Sequence, residues 1–265
     1  MNPPTRSPPA RLTAPATDKM PRKQLLSLLV LYIVAGLFGR DPWKIDDVAS
    51  LASMLSALQY GLTAWFLPQV GPSILADGVP IVTLVGASII FLTDAWISPI
   101  ISYRFTNLLW FALMAWTLWY GAYLLGRRPE TQPLALPFGG EPAEKDYGRM
   151  LADVALLLLL GTAGILVKIH EVSELPAALA WQAIALCAVA RMVDKPLLGS
   201  TFLGLALAGM FLTRGLPGVA PILLALLMIF TLSHPLARTR GWLAWSFLLA
   251  CVLVTAWWWP ASKLQ

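Results

Sequence analysis

The stretch Gly39-Arg40-Asp41-Pro42-Trp43-Lys44-Ile45-Asp46-Asp47-Val48-Ala49 follows directly on the first apolar segment and holds three of the fourteen acidic residues. From there Val48, Leu51, Leu55, Leu58, Leu62 and Trp65 recur at alternating spacings of three and four, which lines them along one helical face. Ser50, Ser53, Ser56, Gln59 and Thr63 take the other face. The pattern predicts an amphipathic helix whose first turn carries a carboxylate pair, set just outside a membrane span.

The surrounding chain is that of a membrane protein. Apolar residues make up 58% and charged residues 12%, against roughly 45–50% and 25% in globular proteins. Twelve Trp and a mean hydropathy of +0.70 agree. The predicted fold is all-α: a polytopic membrane helix bundle plus an interfacial amphipathic helix. The net charge of +5 does not imply nucleic acid, because basic residues in such chains sit in loops and set orientation. Cys187 and Cys251 lie inside apolar segments and read as small buried hydrophobes. Neither a disulfide nor a metal site is expected, and no cofactor is indicated.

Residues 1–23 hold six prolines, five basic residues and one acid, a composition that predicts a disordered cytoplasmic tail. The transmembrane domain then covers residues 24–265. Residues 24–39 read as an uncleaved signal anchor. Residues 40–79 form a first external loop in which Arg40 and Lys44 face Asp41, Asp46, Asp47 and Asp77. Further apolar runs at 80–98, 107–126, 151–167, 175–190, 197–213, 216–233 and 241–259 bring the expected spans to about eight. The Pro- and Gly-rich stretch 127–150 is a connecting loop. With strict alternation, nine Lys and Arg fall inside and ten outside. The positive-inside rule therefore leaves the full topology open, and orientation rests on the amino-terminal charges.

Adjacent carboxylates at a helix start can simply favour the helix dipole. The functional alternative is a general base at the membrane–water boundary. Other motifs carry less. His170-Glu171-Val172-Ser173-Glu174 has Glu where a zinc-protease motif needs its second His. Asp94 falls near the end of its apolar run, within reach of water. Arg214-Gly215-Leu216-Pro217 marks a tight turn between two spans.

A basic tail, a signal anchor and an acidic pair in the first external loop together resemble the bacterial GT-C glycosyltransferases. The resemblance is closest to the protein O-mannosyltransferase and lipid A aminoarabinose transferase group. In that group an Asp-Glu pair opens a juxtamembrane helix, and here the matching residues are Asp46-Asp47-Val48-Ala49. Trp65-Phe66-Leu67-Pro68-Gln69 and Leu75-Ala76-Asp77-Gly78-Val79-Pro80 resemble the rest of the group's loop. Tyr103-Arg104 resembles its Arg-containing turn.

The resemblance implies a multi-pass protein of the bacterial inner membrane that transfers a sugar from a polyprenyl-phosphate donor to a lipid or protein acceptor on the periplasmic face. Asp46 would be the base with Asp47 beside it, and Arg40, Lys44 and Arg104 would hold the donor phosphate. Membrane lipids are further partners. The likeness is to the amino-terminal half of that group, which leaves three readings: a truncated product, a half-protein needing a partner chain that supplies the remainder, or an inactive relative. The alternative is a non-catalytic membrane protein: a truncated transferase, a structural subunit or a transporter component.

Overall fold

The computed structural model describes residues 20–74, 80–134, 137, 140–232 and 238–264. Almost all of the predicted tail lies outside the described residues, as do residues 75–79 of the first loop. The described chain is helical apart from one short β-hairpin.

Helix α1 (Arg22–Leu37) ends before Gly39, whose positive φ of 83° turns the chain away. Helices α2 (Ile45–Tyr60) and α3 (Leu62–Phe66) follow, separated by Gly61 at φ 75°. The hairpin pairs β1 (Gln69–Val70) with β2 (Ser73–Ile74). Helices α4 (Pro80–Thr93) and α5 (Pro99–Ser102) lead into α6 (Arg104–Gly126). After a 3-10 turn at Pro129–Thr131 come α7 (Glu144–Gly161), α8 (Ala163–Lys168), α9 (Glu174–Met192), α10 (Pro196–Leu232) and α11 (Arg240–Leu264).

Among the described residues, four helical stretches are long and apolar enough to cross a membrane: Pro99–Gly126, Glu174–Met192, Pro196–Leu232 and Arg240–Leu264. This falls short of the eight expected spans. Helix α1 has 16 residues, and α7 opens on the charged sequence Glu144-Lys145-Asp146. Helix α4 has 14 residues, about 21 Å, against a hydrocarbon core of ~30 Å. The 37 residues of α10 would measure about 55 Å as one rod. They are broken at Gly215 (φ 61°, ψ −153°), in the turn motif picked out from the sequence. Beyond the break the second arm returns, so that Arg240 Nε donates to the Phe230 carbonyl at 2.9 Å beside the start of α11.

Contacts fix the helix directions. Helix α6 runs antiparallel to α1: Arg104 reaches the Leu37 carbonyl, while Leu25 packs with Ala115. Helix α7 returns beside α6, with Trp119 Nε1 donating to Asp153 Oδ1 at 2.8 Å and Gly126 against Gly148. Helix α9 runs with α6, pairing Trp110 with Trp181 and Tyr120 with Arg191. The first arm of α10 opposes α9, from Gly199 against Met192 to Arg214, which meets Glu174 at 2.9 Å. Helix α11 runs parallel to that arm, with Ser246 Oγ donating to the Ser200 carbonyl at 2.9 Å.

Everything between Phe38 and Tyr103 thus leaves and rejoins the bundle at one end. This corrects the alternating topology, which put Arg40 and Arg104 on opposite faces by counting residues 80–98 as a full crossing. Helix α4 instead packs on α2, with Ser53 Oγ and Thr83 Oγ1 3.1 Å apart, and Thr93 Oγ1 donates to Ser102 Oγ at 2.7 Å.

Helix α2 turns its small and polar residues inward. Asp47, Ser53, Met54, Ser56 and Ala57 are buried, whereas Val48 and Leu55, and Leu62 at the start of α3, are exposed. Met54 lies over Gly86, where a Cβ would come within 2.3 Å of its sulfur. Close small-residue seams with hydrogen bonds are how helices associate where lipid removes the hydrophobic drive between them.

Candidate active site

At the end of the bundle where α1 stops, four segments converge: the 38–44 turn, the first turn of α2, the start of α6 and the 168–173 connection. Each delivers charge because each is a helix end whose backbone groups need partners. Arg40, Lys44, Arg104 and Lys168 meet Asp46, Asp47 and Glu171 there.

The two aspartates predicted as a pair have different surroundings. Asp47 is fully buried, accepts the Val172 N–H at 2.8 Å on Oδ1, and has Arg40 Nη2 3.6 Å from Oδ2. It clamps the α8–α9 connection onto α2. Neither aspartate makes a side-chain capping hydrogen bond to α2, whose amino-terminal flanking residue is Lys44. Asp46 faces outward, its side chain 56% exposed, with Lys168 Nζ 3.4 Å away. Of the three carboxylates in the cluster it is the one open to a ligand.

The predicted phosphate ligands also divide. Arg40 donates to the His170 carbonyl at 2.7 Å and keeps 29% of its side chain exposed. Lys44 pairs with Glu171 and is equally exposed, its ammonium 5.4 Å from the Trp43 ring centroid. Arg104, by contrast, is 2% exposed, and its guanidinium is engaged by the Leu37 and Arg40 carbonyls. It ties α1 to α6 and holds the Arg40 backbone.

Three members were not assigned to this site from the sequence: Lys168, and His170 and Glu171, which stood out there only as an incomplete zinc-protease motif. Their legible signal was a Lys-x-His-Glu polar run at the mouth of an apolar segment. Glu171 is buried between Lys44 and Lys168, the latter at 2.9 Å. Burial alone would raise its carboxyl, but the two ammonium groups hold it below the usual range. Hydrogen bonding to Glu171, and secondarily to Asp46, raises the Lys168 ammonium.

Because the folded-state pKa of Glu171 is depressed, its contribution to stability is complete above the ordinary value of about 4.3 and is lost as pH falls through the lower folded value. The gap in melting temperature between the wild type and Glu171→Gln is therefore expected to stay constant from about pH 5 to about pH 8 and to narrow below about pH 4.

His170 closes the cluster from within the bundle. Its Nε2 lies 2.8 Å from the Tyr32 carbonyl and its Nδ1 3.0 Å from that of Leu166. The ring covers Gly36, where a Cβ would sit 2.4 Å from Cδ2. Gly36→Ala is expected to destabilise the protein by about 1–3 kcal/mol by overpacking, read as a lower melting midpoint in detergent.

No protein-family model matches the chain, and no curated protein and no solved structure matches it significantly.

Proposed function

We propose that this protein is the membrane part of a GT-C-type sugar transferase, with Asp46 as its base. The observation that carries the reading is the contrast within the acidic pair: Asp47 is consumed by the fold, while Asp46 projects to water beside cations. Asp46 would take the proton of an acceptor hydroxyl or amine as its heteroatom bonds to the anomeric carbon of the donor sugar. The bond from that carbon to the phosphate oxygen breaks, and the polyprenyl phosphate leaves with its charge beside Arg40 and Lys44. Arg104 acts as a positioning residue through the Arg40 backbone.

Orientation supports the reading. With these helix directions, ten of the sixteen Lys and Arg among the described residues fall at the end of the bundle where α1 begins: Arg22, Lys23, four in 127–149, and Arg191, Lys195, Arg238 and Arg240. The other six are Arg40, Lys44, Arg104, Lys168, Arg214 and Lys263. This asymmetry supports a reading with the amino terminus in the cytoplasm of a bacterial inner membrane and the Asp46 cluster on the periplasmic face. Exposed Trp43 in the 38–44 turn and exposed Trp96 in the α4–α5 turn suit an aromatic belt at that boundary, and the outward Val48, Leu55 and Leu62 suit α2 and α3 lying in the interface.

A non-catalytic role is favoured by one observation: Asp46 already has an ion-pair partner in Lys168, so the network also serves as a clasp between loops. The deciding assay supplies a labelled polyprenyl-phosphate sugar to membranes containing only this chain. Transfer by the wild type that is lost in Asp46→Asn supports the transferase. Absence of transfer from well-inserted protein, across several donors, supports the structural subunit or a dependence on a partner chain.

A further inference from the structure

Away from the charged cluster, a cavity of about 500 Å³ opens between α1, α6 and α7. Its wall is apolar over nearly its whole extent, with Leu29 and Ile33 of α1 facing Phe111 and Trp116 of α6 and Leu156 of α7. Only one end is polar, and there Arg22, Arg149 and Asp153 line the mouth. Lining residues run from 22 to 33 on α1 and from 108 to 119 on α6, so the groove is about 16 Å long. That matches one leaflet, half of the ~30 Å hydrocarbon core.

We infer that this groove holds one acyl chain of an anionic phospholipid from the leaflet at the start of α1, with its phosphate on Arg22 and Arg149. The charged mouth is separate from the proposed donor site, because the 16 residues of α1 set the two about 24 Å apart. Charge selects the head group. Arg22 is exposed, and Arg149 is half-buried with Nη2 bonded to the Met20 carbonyl at 3.1 Å. The carboxylate at the mouth, Asp153, is 5% exposed; it accepts from Trp119 and lies 3.9 Å from Arg149 Nε, so it aims that guanidinium. Two cations against one buried carboxylate leave the mouth positive. A chain that enters the groove removes apolar wall from contact with disordered lipid, and the phosphate fixes its register by charge-assisted hydrogen bonds.

The test uses the full chain in nanodiscs of equal phosphatidylcholine and phosphatidylglycerol, released into native mass spectrometry. The wild type is expected to retain a single phosphatidylglycerol, enriched about tenfold over phosphatidylcholine. Arg22→Gln should cut that enrichment while some lipid stays bound. Ala112→Trp and Leu26→Trp, which fill the groove from exposed positions, should lose the bound lipid. Leu227→Trp, on an exposed apolar face of α10, should not. Retention of both lipids in their bulk ratio, unchanged enrichment in Arg22→Gln, or equal loss in the groove-filling variants and Leu227→Trp would overturn the site.

Discussion

Replacing Asp47 with Ala is expected to lower the stability of the protein by about 3–5 kcal/mol, the range for breaking a buried ion pair by removing one partner. The side chain has no exposed surface and holds two segments 125 residues apart. Its loss leaves the Val172 N–H without its acceptor and Arg40 without its counter-charge. Asp47→Asn should cost less, since an amide oxygen still accepts from Val172 while the pairing to Arg40 is lost. The midpoint of denaturation in detergent, compared across wild type, Asn and Ala, measures this ordering. Equal midpoints for all three would show that Asp47 does not clamp the connection.

Asp46→Asn is expected to do the reverse. Its carboxylate is more than half exposed and, among the described residues, it is ion-paired with Lys168 alone, at 3.4 Å, a surface pair worth about 0–1 kcal/mol. Stability should therefore be nearly unchanged. Sugar transfer, however, should fall by about 10²–10⁴, the usual contribution of a positioned base. Transfer rates and melting midpoints measured on the same preparations separate the two aspartates. An active Asp46→Asn protein would remove the assignment.

How much of this was legible in the sequence differs from element to element. The helical, membrane-embedded class follows from composition, and the break at Gly215 follows from a Gly and a Pro placed together. The 3-4 spacing located α2, since a helical period is a local property, but it ran one helix through to Trp65 where Gly61 at φ 75° divides α2 from α3. The burial of its serine face was hidden, because periodicity gives two faces without saying which one the bundle needs. Strict alternation put Arg104 across the bundle from Arg40 for a related reason, whereas it bonds the Arg40 carbonyl. Hydropathy marks residues 80–98 as apolar, but only the packing of α4 on α2 shows that this segment does not carry the chain across. Glu171 was visible only as part of an incomplete motif, and its role was missed because its partners, Lys44 and Lys168, include one that is 127 residues away.

The inward serines of α2 also forecast how the gene would respond to random change. In a water-soluble helix, leucines resist substitution and serines drift. Here Leu55 and Leu62 should accept most apolar replacements. Ser53, bonded to Thr83, and Ser56, which accepts the Gly71 N–H at 3.1 Å, should tolerate few. A saturation library of this loop would then show a partly inverted tolerance map, with the buried serines fixed, Leu55 and Leu62 free, and Leu51, Leu58 and Trp65 held by their packing on the core.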